Sequence, residues 1–217
     1  MKTILLPTHP KYCHLTYGTK EKTEEIRKTA PEPPFKVLSY CTSIKNMNLN
    51  DYVTLHKKTN GLIDNWHSKV IGEFVVDKVT EIPPCTEHNG IHYPLLRRPE
   101  LSELVKRACL SFDELYLYGV KKKNGCYGAS SKVVQLLALH ITAPKLYDRP
   151  RELGEFYRRL PETILEGGDY DCRRPWNCTC PDAPEGSEYC QDCVYGGLVQ
   201  ITRAPQSWVY IQDPEEV

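Results

Sequence analysis

The sequence has no excess of charge of either sign. Its 217 residues contain 28 Lys and Arg and 28 Asp and Glu, so the formal net charge is zero. Bulk electrostatics therefore provides no general attraction to nucleic acid or to a membrane surface. Binding of a polyanion would have to come from local basic pairs such as Arg97-Arg98 and Arg173-Arg174, and such pairs are more often a solvated surface.

Long apolar runs and common enzyme signatures are also missing. The N-terminal apolar run stops at Pro7, which is too short for a signal-peptide core, and no later run is long enough to span a bilayer. We therefore expect a cytoplasmic protein with no membrane segment, in which thiols stay reduced. The chain has no Walker loop, no GxGxxG and no GxSxG, and the HxxxH that begins at His88 lacks the Glu of a zinc protease.

Cysteine, in contrast, is abundant: five of the ten lie between Asp169 and Cys193. In a reducing compartment, clustered thiolates suggest zinc rather than a disulfide framework. A Cys-x-Cys and a Cys-x-x-Cys turn, joined by a loop rich in Pro, Gly and acidic residues, can close a tetrahedral site. The predicted ligands are Cys178, Cys180, Cys190 and Cys193, with Cys172 as the alternate. An all-thiolate site leaves no position for water, so this zinc would be structural; free or redox-active thiols are the alternative.

Short strands alternate with helices along the rest of the chain. Strands are predicted for KTILL, KTEEIRKT, FKVLSYCT and KVIGEFVVDKVTEI, with LVQIT and SWVYI finishing the sheet, and KVVQLLALHIT is a buried strand or a long apolar segment. Helices are predicted for HPKYCHLTYG, RPELSELVKRACL, RPRELGEFYRRL and SFDELYLYG, the last with a capping box from Ser111 to Glu114. This order predicts a single α+β domain over residues 1–217, built as a small mixed β-barrel with flanking helices.

The chain contains two distinctive short segments, which we call anchors: KTEEIRK from Lys22 to Lys28, and PQSW from Pro205 to Trp208. They occur together with KVLSYCTS and LYDRPRELGEF. In this combination the sequence resembles the ASCH domain family, a branch of the PUA-like superfamily, over most of residues 1–156 and 203–212. The resemblance implies a β-barrel with a cleft of nucleobase size. Members are linked to RNA, to modified nucleosides and to transcription-related regulation, and occur in bacteria and their phages.

The resemblance also marks a departure. In similar sequences the ELGEF segment runs almost directly into PQSW, whereas here residues 157–202 intervene and contain all five clustered cysteines. We therefore predict a Cys-rich insertion over residues 157–202 within the single domain. Zinc would let such a short, loop-rich segment fold without a core of its own.

Strand alternation assigns the polar residues of KTEEIR to two faces. It places Thr23, Glu25 and Arg27 on one face, and Ile26 on the other together with Lys22 and Glu24. Glu25 can accept a hydrogen bond from an exocyclic amine, and Arg27 can donate to a carbonyl or a phosphate. From the residues alone, a surface ladder pair is the commoner interpretation; the resemblance favours a ligand-binding role for both.

The second anchor suggests further contacts. Gln206 could read an amide-like base edge, with Ser207 beside it, and Trp208 could stack on the base or be an ordinary core residue. The predicted ligand-binding set is Lys22, Thr23, Glu25, Arg27, Gln206, Ser207 and Trp208.

Three functions remain open. The favoured one is a binding module for RNA, single-stranded nucleic acid, a modified base, or a nucleoside or nucleotide. The second is an amidohydrolase of acylated nucleosides, because some small family members act on acylated cytidine with a Lys, a Thr and a Glu. Lys22 matches that Lys, but Glu25 replaces the Thr, and Glu103 and Glu114 are candidates for the third residue; in such an enzyme Lys22 and Glu25 would be catalytic. The third is a protein-interaction module that uses the zinc insertion.

The zinc prediction is testable on the purified chain. We expect metal analysis to find about one zinc per chain, because four thiolates complete one tetrahedral site. Serine in place of Cys178 or Cys190 should release the metal and lower the melting temperature, whereas serine in place of Cys172 should have a smaller effect. Zinc-free protein with five titratable clustered thiols and an unchanged melting temperature would contradict the prediction.

Overall fold

The computed structural model describes residues 1–82, 86–88, 91–93, 99–121, 132–159 and 198–211. The five clustered cysteines, Cys172 to Cys193, lie outside these ranges, so their zinc site remains a prediction. Within the described ranges, no group of three or more His, Cys, Asp or Glu side chains could hold a metal ion. No helix among the same residues is long and apolar enough to cross a membrane.

A six-stranded mixed sheet forms the centre of the fold. Its strands are β1 (Lys2–Thr8), β2 (Glu24–Arg27), β3 (Phe35–Cys41), β4 (Lys69–Ile82), β9 (Leu136–Glu152) and β12 (Val209–Tyr210). The order across the sheet is β12-β1-β3-β4-β9-β2, with β1 and β3 parallel and the other pairs antiparallel. Each of these strands overlaps a predicted β-rich run, although β9 begins inside KVVQLLALHIT and continues well beyond it. The mixed α+β class is therefore confirmed.

The two longest strands bend the sheet. Register shifts interrupt the β4–β9 pairing at three places, and such bulges kink strands and increase their twist. Gly72 lies beside one of them, and a Cβ atom there would be 2.5 Å from the Lys145 carbonyl oxygen. Only glycine permits this close approach of backbones.

Because the sheet curls, its two edges come close together without pairing. The Trp208 indole, just before β12, donates from Nε1 to the Thr29 carbonyl oxygen at 3.0 Å and to its Oγ1 at 3.1 Å, just beyond β2. Arg27 on β2 donates from Nη2 to the Pro7 carbonyl oxygen on β1 at 2.7 Å. Among the described strands β2 and β12 share no hydrogen-bonded ladder, so the sheet is not closed into the predicted barrel. Side chains instead bridge an open seam.

Short elements surround the sheet. The helices are α1 (Pro10–Cys13), α2 (Leu49–Lys58), α3 (Ile63–Trp66), α4 (Pro99–Arg107) and α5 (Phe112–Gly119). Three two-stranded antiparallel sheets pair β5 (Thr86–His88) with β6 (Ile91–Tyr93), β7 (Val120–Lys121) with β8 (Lys132–Val133), and β10 (Tyr157–Arg159) with β11 (Leu198–Gln200). A π-helical turn, His14–Gly18, continues α1 as predicted. The capping box of α5 is formed: Ser111 N donates to Glu114 Oε2, and Glu114 N to Ser111 Oγ.

The helix predicted for RPRELGEFYRRL is wrong. Strand β9 continues to Glu152, a 3-10 turn covers Leu153–Glu155, and β10 follows. A capping box between Glu152 and Glu155 closes that single turn. The chain then extends because Phe156 is fully buried with Leu153 on one side of the sheet, so tertiary burial overrides the helical pattern.

The two ends of the predicted insertion are neighbours. LVQIT does not join the main sheet as predicted, since β11 pairs with β10 instead. The Ile201 amide donates to the Phe156 carbonyl oxygen at 2.9 Å, and both side chains are buried in one apolar cluster with Leu5 and Ile211. The residues that flank this part of the sequence are therefore anchored side by side.

The contribution of the Trp208–Thr29 contact to the free energy of unfolding can be measured. Trp208→Phe should lower the free energy of unfolding by about 1 kcal/mol, the typical net value of one hydrogen bond, because the Thr29 carbonyl loses its donor. Thr29→Val is the matched control: it removes only the Oγ1 acceptor and should cost less. Chemical denaturation of the three proteins measures the difference, and equal stabilities would show that the indole contact does not stabilise the seam.

Candidate functional site: a carboxylate held between two cations

Strand β2 orients the candidate residues. It pairs with the start of β9, and Ile26 packs against α4 and α5 through Leu104, Ala108 and Leu115. Glu25 therefore points to the opposite face with Arg27, which confirms the predicted alternation.

The Glu25 carboxylate lies between two cations. Lys22 Nζ is 3.3 Å from Oε2, and Arg27 Nη1 is 2.5 Å from Oε1. The side chains of Lys22 and Glu25 are 2% and 6% exposed, and that of Arg27 is 15% exposed. Buried ions at such distances are strongly coupled, so each depends on its partners for its place in the interior.

Lys22 is not on the Ile26 face, where alternation placed it. Strand β2 begins at Glu24, so the two-residue period does not extend to Lys22. Its ammonium donates to the Ala108 carbonyl oxygen at 2.7 Å and lies 4.7 Å from the centre of the Tyr12 ring. Lys22 thus connects β2 with the end of α4 and with α1, in addition to pairing with Glu25.

The electrostatics keep Glu25 ionised. Burial alone would raise the pKa of the Glu25 carboxyl, but Arg27 and Lys22 outweigh it, so the pKa lies below its ordinary value. Glu24, on the opposite face, shows the contrast: burial raises its pKa, and the more distant Arg107, at 3.6 Å, offsets only part of that effect.

A small cavity of about 140 Å³ opens beside these side chains. Its polar wall consists of Lys22, Glu25, Arg27 and Glu114. Tyr12 from α1 and Tyr118 from α5 supply two aromatic side chains, and Ile26 and Leu110 complete the lining. The cavity therefore lies between α1, β2 and α5.

Glu114 is the predicted carboxylate that the fold brings to this cavity, whereas Glu103 is exposed on α4 and is not among the lining residues. Lys11 Nζ is 3.4 Å from Glu114 Oε1 at the surface. Burial would raise the pKa of Glu114, but hydrogen bonds from Ser111 and the charge of Lys11 lower it. Glu114, like Glu25, is therefore an ionised acceptor.

The second sequence anchor lies elsewhere. Gln206 and Ser207 are exposed, Trp208 contacts Thr29, and none of the three is among the lining residues. Thr23 is also outside the lining, and its backbone binds Arg107 and Ile141. Ligand contacts by these four residues remain predictions.

The sequence does not predict the two tyrosines as cavity residues. Tyr12 and Tyr118 lie far from β2 along the chain, and nothing in their local sequence distinguishes them from other tyrosines. Each has a lysine near its ring: Lys22 over Tyr12, and Lys28 over Tyr118 at 5.0 Å from the ring centre. Burial, then Glu114 and Glu25, raise the pKa of Tyr12, so its hydroxyl stays protonated.

No protein-family model and no curated protein matches the chain. Among solved structures, the chain is similar to crystal structures of an ASCH protein from Zymomonas mobilis. One of them has 12% identity and a TM-score of 0.44 over 99% of this chain and 91% of that chain. A mutant form has 13% identity and a TM-score of 0.45 over 100% and 94%. The family that the sequence resembles is therefore also the family of these structures, at a similarity that carries no argument about ligand or activity.

Neutralising Glu24 and Glu25, which lie on opposite faces of β2, should change the stability of the protein by different amounts. Glu25→Gln leaves Lys22 and Arg27 buried without their counter-ion and should cost roughly 3 kcal/mol of unfolding free energy at neutral pH. Glu24→Gln should cost little or stabilise the protein, because burial disfavours the charged form of Glu24.

The pH dependence follows from the direction of each pKa shift. The stabilisation from ionised Glu25 is present above its unfolded pKa of about 4.3 and is lost as the pH falls through its lower folded pKa. The deficit of Glu25→Gln should therefore shrink in acid. The cost of ionising Glu24 disappears as the pH falls through its raised pKa. Denaturation from about pH 7 to about pH 3 tests both; a pH-independent deficit for Glu25→Gln would contradict the assignment.

Proposed function

We propose that the chain is a binding module for a nucleobase, taken from single-stranded RNA or from a nucleoside or nucleotide, in the cavity beside Glu25. The observation that carries this proposal is a buried, ionised carboxylate fixed by two cations at the wall of a cavity that also contains two tyrosines. A fixed acceptor beside aromatic side chains suits a planar heterocycle with polar edges.

The size of the cavity favours a single heterocycle. A volume of about 140 Å³ is below the roughly 300–1,000 Å³ of sites that enclose drug-sized ligands. A base could enter while its sugar and phosphate stay outside. Lys11, which is half-exposed beside Glu114, and Lys28, beside Tyr118, lie at this side of the protein and could approach a nucleic-acid backbone. The zero net charge favours a short or single-stranded ligand over long duplex.

The tyrosines provide stacking surfaces. Aromatic side chains bind unpaired bases with little sequence preference because every base has a π-face. The ammonium groups of Lys22 and Lys28 lie against Tyr12 and Tyr118, and such contacts hold an aromatic side chain in place. Both rings are thus partly positioned before a ligand arrives.

Hydrolysis of an acylated nucleoside is the second candidate, and the observation that favours it is that Glu114 shares the cavity with Lys22. Such a reaction needs an attacking group and a proton shuttle. Lys22, however, is bound to Glu25 and to the Ala108 carbonyl, and both carboxyls have lowered pKa values. Ionised carboxylates are poor proton donors, which makes binding the better-supported function.

The Cys-rich insertion adds a separate proposal. We propose that zinc stabilises this segment as a compact unit that binds a protein partner, with its two ends held together by the β10–β11 pairing. Its support is the cysteine spacing and the anchored ends, independent of the cavity.

Binding can be tested with short single-stranded RNA and with nucleosides by calorimetry. Tyr118→Ala should weaken RNA binding about tenfold or more, the usual loss of one stacked base. Tyr210→Ala is the matched control, since Tyr210 is similarly exposed (43% against 37%) and has Lys2 at 5.7 Å from its ring, but belongs to β12. We expect no product from acylated cytidine.

Each alternative outcome has a distinct meaning. Rapid release of the acyl group that Lys22→Ala abolishes would overturn the binding module in favour of the hydrolase. Equal losses from Tyr118→Ala and Tyr210→Ala would move the RNA site away from the cavity. Neither binding nor turnover would refute both nucleobase functions and leave the protein-interaction proposal.

A further inference from the structure

The donors and the acceptors that line the cavity differ in how many hydrogen bonds they can still form with a ligand. Lys22 has three N–H donors, and its ammonium meets Glu25, the Ala108 carbonyl and the face of the Tyr12 ring. Two of its donors thus meet protein acceptors, and the Tyr12 ring covers another side of the ammonium. The ammonium is therefore held mainly by the protein, and it supplies charge and position at the cavity wall.

Arg27 is also mostly engaged by the protein. Of its five N–H donors, those on Nη1 meet Glu25 and the Ile26 carbonyl, and one on Nη2 meets the Pro7 carbonyl. The guanidinium is held across the seam rather than pointed as a fork into the cavity. A phosphate bound across Nη1 and Nη2 would displace the buried acceptors on Nη1, leaving them unpaired at a cost.

Acceptors are what the cavity still offers. A carboxylate has about four lone-pair sites, and one contact to each Glu25 oxygen is used by the two cations. Glu114 contributes a second ionised carboxylate to the same lining. The oxygens of these two side chains accept only, so a ligand must bring N–H groups to satisfy them.

From this inventory we infer that the cavity selects a neutral base whose edge carries an amino group, with its N–H donors directed to Glu25, and discriminates against phosphate and against analogues in which that amino group is absent or replaced by a carbonyl. The inference rests on the proposed nucleobase binding and names the ligand chemistry of that site. An amino group in this place can donate to the carboxylate oxygens, whereas a carbonyl oxygen there would face acceptors only. A site built to bind a polar group rejects the analogue that lacks it, because its own buried groups remain unpaired.

Matched nucleoside pairs test the inference directly. Guanosine and inosine differ only by the 2-amino group, and cytidine presents an amine where uridine presents a carbonyl. We expect calorimetry on the full chain to give at least tenfold tighter binding of guanosine than inosine, of cytidine than uridine, or of both. Inorganic phosphate at millimolar concentration should not displace the preferred nucleoside.

Variants separate the carboxylate from its surroundings. Glu25→Gln introduces an amide that can donate as well as accept, so the preference within each pair should fall to within about threefold. Glu24→Gln, on the opposite face of the strand, should keep the preference. If Glu25→Gln fails to fold, the wild-type pairs and the surface variant Glu114→Gln still test the inference. Replacing the second carboxylate by an amide that also donates should reduce the preference.

The possible outcomes distinguish failure of this inference from failure of the proposed nucleobase binding. Binding of nucleosides without any preference for the amine would overturn the inference and leave nucleobase binding intact. Competition by phosphate would overturn it as well, because it would show donors open to an anion. Failure of all four nucleosides and of single-stranded RNA to bind would overturn both.

Discussion

The ion triad of Lys22, Glu25 and Arg27 is the contact on which the local architecture depends. Through Lys22 it holds the Ala108 carbonyl at the end of α4, and through Arg27 it holds the Pro7 carbonyl on β1. One carboxylate thus fixes a helix and two strands that are distant in sequence. None of these elements can separate from the others without leaving a buried charge or carbonyl unpaired, which is among the more costly changes in a protein interior.

Stability alone does not account for such a triad. Replacing a buried ion pair by well-packed apolar side chains is often neutral or stabilising, because desolvation offsets much of the attraction. The triad also stands at the wall of a cavity that Tyr12 and Tyr118 line, where an apolar replacement would remove the buried acceptor. The desolvation cost of the triad is explained if the orientation of Glu25 is needed for binding. Two cations hold the Glu25 oxygens in place before a ligand arrives, so little reorganisation accompanies binding.

Short sequence patterns predicted the features that depend on residues close together in the chain. Alternation placed Glu25 and Arg27 together because both lie within β2, and the spacing of Ser111 and Glu114 predicted the α5 cap because both partners are in one turn. The same rule misplaced Lys22, which precedes the strand. Tyr12 and Tyr118 reach the cavity only through packing of α1 and α5, and no pattern around them carries that information. Burial of Phe156 likewise replaced a predicted helix by a single turn.

The open seam explains why side chains, rather than backbone, shape this site. In a closed barrel, strand-to-strand hydrogen bonds would occupy the groups along the β1 and β2 edges. Here the Pro7 carbonyl is met by a guanidinium and the Thr29 carbonyl by an indole. Arg27 therefore takes part in both the seam and the cavity wall, so the two are mechanically connected. A substitution that widened the seam would break the contact between Arg27 and the Pro7 carbonyl. Glu25 and Arg27 would stay together on β2, but the pair would lose the restraint that β1 provides, even though no lining residue had changed.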